Sequence, residues 1–162
     1  MTTLEKVRTF LRNNSEVSIG YNEIIFFPAD ELDSAQIGYS IDTNNSSLIT
    51  GQDGDWQDGW LVIGVDSLLG DPIFVDTSTK QLRVLTATHG EGEWETILIA
   101  DSLDSFADII SELKILSEDR ISPMDFERNP ISTKEFEKFI ARVKKNNSEV
   151  EIDYWENFIE SD

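Results

Sequence analysis

Apolar residues recur along this chain in two rhythms, and each predicts a different kind of element. At the start, Leu4, Val7 and Leu11 recur at helical spacing, which predicts an amphipathic helix over Thr2 to Asn13. Thr2 and Glu5 stand at capping-box spacing, and Asn13-Asn14 supplies a stop. From Tyr21 to about Leu98 the pattern changes to short apolar runs bounded by turn formers. Ile24–Phe27 closes on Pro28, and Ile37, Tyr39 and Ile41 alternate with small or polar neighbours. Trp60–Val65, Ile73–Val75, Leu82–Thr86 and Trp94–Ile99 are rich in β-branched and aromatic residues, which is the composition of strands. Short connections between them favour an antiparallel or meandering sheet over parallel crossovers.

The helical rhythm returns after Ala100. Asp101 or Ser102 can cap a helix on which Leu103, Phe106, Ile109 or Ile110, Leu113 and Leu116 share a face. Ser117 to Ile131, with Pro123 and Pro130, reads as loop. Ser132 and Glu135 repeat the capping-box spacing ahead of Phe136, Phe139, Ile140 and Val143, with Asn146-Asn147 as the stop. Trp155, Phe158 and Ile159 predict a short closing amphipathic turn. Helix, strands, then helices is the order of an α+β domain: a mostly antiparallel sheet with helices packed on one face. No internal repeat or low-complexity tract interrupts it.

Length and composition agree with one ordinary domain over 1–162. A chain of 162 residues buries roughly two-thirds of its unfolded surface, and 39% hydrophobic content with 10% aromatics supplies a core. The absence of cysteine excludes disulfides and thiolate chemistry, as suits a reducing compartment. Glu5 and Lys6 stand where a signal peptide needs an apolar run, and no apolar stretch is long enough to span a bilayer. A cytoplasmic location is the expectation.

Charge changes the picture most. Thirty-two acidic residues against 13 basic ones leave a formal net charge of -19. A field of that sign repels phosphate backbones and anionic lipid, which argues against nucleic acid or membrane as partner, and it speeds association with a basic protein. No Lys or Arg stands between Arg12 and Lys80, a second base-free stretch runs from Arg83 to Lys114, and a third follows Lys145. If these blocks cluster on folding they make an acidic face; otherwise they keep the protein soluble.

Candidate chemistry is sparse. His89 is the sole histidine, so no two-histidine metal site can form. In His89-Gly-Glu-Gly-Glu-Trp94, Glu91 or Glu93 could orient its imidazole as a general base, or the segment is a glycine-rich connection between strands. Gly90 and Gly92 lack the third glycine and the strand-to-helix context of a dinucleotide fingerprint. Asp53-Gly-Asp55-Trp-Gln-Asp58-Gly59 invites a calcium reading, yet Gln57 holds the fifth EF-hand position, Asp58 the sixth and Gly64 the twelfth. No cofactor or metal is expected. Asp66, Asp71 and Asp76 flank Pro72-Ile-Phe-Val75; paired carboxylates can serve a glycoside hydrolase, and Asp also initiates turns. Trp56 in the acidic loop is either core or an exposed anchor, whereas Trp60 and Trp94 open strands and read as core. Exposed aromatics beside carboxylates make good interface anchors.

Gly59-Trp-Leu-Val-Ile-Gly64-Val-Asp66, continued by Gly70-Asp-Pro-Ile-Phe-Val-Asp76, resembles the central signature of the SUKH superfamily, which includes fungal cell-wall synthesis regulators and bacterial immunity proteins paired with polymorphic toxins. His89-Gly-Glu-Gly-Glu-Trp94 and Ile99-Ala-Asp-Ser-Leu-Asp-Ser-Phe106-Ala-Asp-Ile-Ile110 are similar to its following turn and helix. The resemblance covers about residues 20 to 116 and leaves 117–162 as a helical extension. Phe27-Pro28 stands where many members have a fuller Leu-Pro motif. The resemblance implies a non-enzymatic domain, often encoded beside the toxin it neutralises. A basic toxin domain is then the expected partner, met by Asp53, Asp55, Trp56, Asp58, Asp66, Asp71, Asp76, Glu91 and Glu93. A regulatory scaffold is the alternative, and a hydrolase using Asp66, Asp71 or Glu91 a third.

Overall fold

The computed structural model describes residues 1–160. Its centre is a six-stranded antiparallel sheet in simple meander order, β1 (Glu16–Ile19), β2 (Asn22–Phe26), β3 (Trp60–Asp66), β4 (Pro72–Asp76), β5 (Arg83–Gly90) and β6 (Glu93–Ala100). With the helices described next, this is the α+β architecture that the apolar rhythm predicts. Four of the strands answer to the aromatic and β-branched runs. β1 is additional, a short edge strand whose register pairs Val17 with Ile24.

Helix α1 (Thr3–Asn13) begins at the expected capping box: Glu5 N–H donates to Thr2 Oγ1 at 3.1 Å and Thr2 N–H to Glu5 Oε2 at 2.8 Å. Its inward face is Val7, Phe10 and Leu11, while Leu4, which the spacing puts on that face, is exposed. After β2 a 3-10 turn (Ala29–Glu31) and the single-turn helix α2 (Leu32–Ala35) follow. Then come α3 (Leu103–Ser117), α4 (Pro123–Arg128), α5 (Thr133–Asn146) and α6 (Ile152–Ile159). Helix α4 corrects the loop reading of 117–131: Ser122 caps it through Asp125 N–H and Pro123 occupies its first turn, where a missing N–H costs nothing.

α1, α3, α5 and α6 bury one face of the sheet. Phe10, Phe26 and Phe106 pack with ring centroids 5.1–6.0 Å apart. Phe139, Val143, Trp155 and Phe158 from the C-terminal helices join the same core as the strands. Trp155 Nε1–H donates to Ile99 O at 2.8 Å, and Asn22 Nδ2–H to Phe158 O at 2.9 Å, which satisfies polar groups at the points where α6 crosses the sheet. Among the described residues no helix is long and apolar enough to cross a membrane.

The opposite face is buried too, by chain without regular structure. Trp56, Val62, Phe74 and Ala87 form a second core with Phe27, Tyr39, Ile49, Trp60, Leu85 and Trp94 packed around it. Because both faces are covered, Pro72 to Val75 is buried without interruption, which explains why β4 reads as an apolar run and not as an alternation. Ile37–Ile41, where alternation predicts a strand, is instead a series of turns with isolated bridges from Ile41 to Ile37 and Ser47. Gly38, at φ +92°, breaks the extended run there.

Gly64 has a different reason to be glycine. A Cβ on it would lie 2.6 Å from Ile25 O and 3.0 Å from Phe26 Cδ1. β2 passes so close to β3 that no side chain fits, and on the other side of β3 its register with β4 slips between Val62 and Gly64.

Candidate protein-binding face

Residues 36–59 make a roof over the sheet face that the helices leave open, and three anchors fix it. Gln36 is buried and uses its amide as a substitute strand where β2 has ended. Its Oε1 accepts from Val62 N–H at 2.8 Å, and its Nε2 donates to Val62 O and Leu32 O, each at 2.9 Å. At the far end of the roof, Gly54 O accepts from Trp94 N–H at 2.8 Å. At its return, Gly59 O accepts from Thr77 N–H and Oγ1–H at 2.8 and 2.7 Å.

Trp56 is the keystone. It is only 3% exposed, with ring centroids of Tyr39, Trp60, Phe74 and Trp94 4.8–5.2 Å away and Nε1–H donating to Trp60 O. This corrects the reading of Trp56 as a contact residue: surrounded by Asp and Gly in sequence, it nevertheless turns inward, because Tyr39, Phe74 and Trp94 from distant segments converge there with the nearby Trp60. Its neighbours do the opposite. Asp53 and Asp58 are exposed and Asp55 half-buried. Asp42 and Asp55 are partly occupied in shaping the roof, Asp42 Oδ1 accepting from Asn44 and Ser46 N–H and Asp55 Oδ2 from Thr50 Oγ1–H.

The roof reaches the β5–β6 hairpin, whose two-residue turn places Glu91 and Gly92 at positive φ. A Cβ on Gly54 would meet the Glu93 side chain at 3.0 Å, so the Asp53–Asp55 turn passes Glu93 at Gly54 although half the sheet separates them in sequence. Glu91 and Glu93 are exposed at the tip. Neither the roof nor the tip of this hairpin contains a Lys or Arg; the bases stand on α1, α3, α4 and α5 and near them, and at Lys80 and Arg83 around the start of β5. The base-free blocks therefore come together at the roof and the hairpin tip, while most of the bases stand on the helix side and Arg83 sits opposite Asp76 on the sheet.

The remaining aspartates divide between the ends of β3. Asp58 adjoins the end where Trp60 pairs with Asp76. Asp66 and Asp71 lie at the other end, ~20 Å away along a strand of this length, where Asp66 N–H donates to Asp71 O at 2.9 Å. The nine candidates thus form no single cluster. Asp66 is a second correction: it is 8% exposed and its Oδ1 accepts from Leu68 N–H at 2.9 Å, so it builds the β3–β4 turn and is not presented to a partner. Asp76 likewise accepts from Ser78 N–H at 3.0 Å and Ser78 Oγ–H at 2.5 Å.

Asp66 and Asp71 share an unfavourable setting. Burial raises the Asp66 carboxyl above the ordinary carboxylate range, offset in part by the Leu68 and Leu69 N–H groups. Burial also raises Asp71, and the Asp66 charge adds to it. Tyr154 on the helix side is raised strongly, by burial first and then by both aspartates; Tyr39 under the roof is raised by burial and then by Asp71. The Tyr154 hydroxyl is buried without a hydrogen-bond partner among the described residues.

His89 is exposed and stacks on Trp94 with centroids 4.3 Å apart; among the described residues no hydrogen bond joins it to Glu91 or Glu93. No group of three or more His, Asp or Glu side chains is placed to hold a metal ion among the described residues. Tyr39 and Gln36, which hold the roof, carry no local sequence signal, since Gln36 bonds to Val62 in β3 and Tyr39 packs on Trp56 and on Trp94 in β6. Comparison with protein-family models finds no match, and neither the curated proteins nor the solved structures compared with this chain yield one.

Proposed function

We propose that this chain is a non-catalytic protein-binding module acting inside the cell, an immunity protein that neutralises a basic toxin domain by covering it with the roof side of the sheet. The observation that carries the reading is the base-free roof, whose Asp53–Asp55 turn packs through Gly54 against Glu93 at the hairpin tip. Such a surface raises the encounter rate with a positive partner and rejects anionic ones. The partner meets a rigid base: a loop clamped at Val62, Trp94 and Thr77 loses little entropy on binding. The SUKH-like signature agrees with this reading, and its Trp60 to Asp76 segment acts as the floor on which the roof is laid.

The test is protection. The product encoded beside this chain is expressed alone and with it, and cell survival is scored. Rescue by the wild type, weakened when Asp53, Glu91 and Glu93 are all changed to Lys, supports the reading. Equal rescue by that variant removes the acidic face from it.

A further inference from the structure

The outer edge of β6 is open over a short window. Gly90 and Glu93 pair across the two-residue turn, so the alternation of an antiparallel ladder aims the backbone groups of Glu93, Glu95 and Ile97 at β5 and those of Trp94, Thr96 and Leu98 outward. Two outward groups are taken: Trp94 N–H by Gly54 O at 2.8 Å and Leu98 O by Glu151 N–H at 3.1 Å. Between those clamps, Trp94 O, both backbone groups of Thr96 and Leu98 N–H have no protein partner among the described residues.

What guards this window is acidic charge alone, from Glu93 and Glu95. Open edges are commonly protected by proline, lysine or a bulge, but no proline or lysine stands between Glu93 and Leu98. The register shift of this pair lies beyond the window, at Val84 and Leu85. The exposed side chains along it are Glu93, Glu95 and Thr96, with Glu91 at the tip and the Asp53–Asp55 turn adjoining through Gly54. That charge selects the occupant. A second copy of this strand would bring its own glutamates against these, which is unfavourable across a strand pair, whereas an extended segment bearing Lys or Arg gains on both counts.

We propose that the β6 edge takes up an extended basic segment of the partner as a seventh strand, hydrogen-bonded to Trp94 O, Thr96 N–H and C=O, and Leu98 N–H, with its cationic side chains beside Glu93 and Glu95. This rests on the acidic-face reading and supplies its mode of contact: backbone bonds give affinity and charge gives selectivity. Five residues of an antiparallel strand make all four bonds, one residue exchanging both of its own with Thr96.

The test uses a synthetic peptide of alternating lysine and valine, and the same peptide N-methylated at the amides that would face β6, which keeps the charge and removes the donors. Amide exchange and chemical shifts follow the full chain. Protection gained at Thr96 and Leu98, with affinity falling about tenfold or more for the methylated peptide, is the expected result. Thr96→Pro gives the same loss, and since the Thr96 N–H points away from β5 the fold is retained. Salt-sensitive binding indifferent to both N-methylation and Thr96→Pro overturns strand addition and leaves the acidic face standing. No binding of the lysine–valine peptide overturns strand addition as well, and the acidic face is then judged by its own partner.

Discussion

Replacing Trp56 with alanine tests whether the roof is a true second core. The indole is 3% exposed and touches the rings of Tyr39, Trp60, Phe74 and Trp94 at centroid separations of 4.8–5.2 Å. Truncating a fully buried aromatic costs about 3–5 kcal/mol, made up of lost transfer energy and the cavity left behind. A value of about 4 kcal/mol is expected here: the sheet floor cannot move, because the helices pack its other side, but the roof can settle partly into the gap. The Nε1–H bond to Trp60 O, long at 3.3 Å, adds little. A domain with about 5–15 kcal/mol of stability survives the loss, so the variant is measurable by urea denaturation followed by far-UV circular dichroism. Amide exchange in residues 36–59 accelerates more than in β1 and β2. Trp56→Phe, which keeps a ring in the gap, loses only about 1–2 kcal/mol. A loss below about 1 kcal/mol for Trp56→Ala refutes the reasoning, because it shows the roof to be independent of its keystone.

Other substitutions probe the same frame. Gly64→Ala drives a Cβ against Ile25 O and loses about 1–3 kcal/mol in the same denaturation assay; a neutral result contradicts the close approach of β2 and β3. Asp71→Asn removes a carboxylate raised by burial and by Asp66. A raised native pKa means that the folded state binds the proton more tightly, so stability is fully present below the ordinary Asp value and declines as pH rises through the native one. The variant is therefore more stable than wild type at pH 7, and the advantage disappears in acid; a pH-independent difference contradicts this origin. Tyr154→Phe deletes a buried hydroxyl that has no partner among the described residues and is neutral or stabilising by up to about 1 kcal/mol, whereas a clear loss reveals a hydrogen bond.

Sequence pattern carries the helix side of this fold well, because its information is local. Thr2 with Glu5 and Ser132 with Glu135 satisfy their own helix ends, so four residues suffice to place α1 and α5. The strands from Trp60 to Ile99 declare themselves by composition, and Glu91-Gly92 by turn chemistry. The roof is illegible for the opposite reason. Gln36 pairs with Val62 and Gly54 with Trp94 across long separations, and Trp56 is buried only because those contacts fold the loop over it. The candidate face divides along the same line: the base-free blocks are visible in the chain, but the approach of the Asp53–Asp55 turn to Glu93 at Gly54, and the retreat of Asp66 into its turn, are products of tertiary structure.

The central claim is that an acid-only roof steers a basic partner onto this chain. Its most direct test is the association rate with the product encoded beside it, measured by stopped flow at rising ionic strength. The comparison is the wild type against the variant with Asp53, Glu91 and Glu93 changed to Lys. With a screening length of about 10 Å at 0.1 M salt, the wild-type rate falls steeply as salt rises, and the variant is slow from the start with little salt dependence. A wild-type rate that ignores salt, or a variant that associates as fast, contradicts the account.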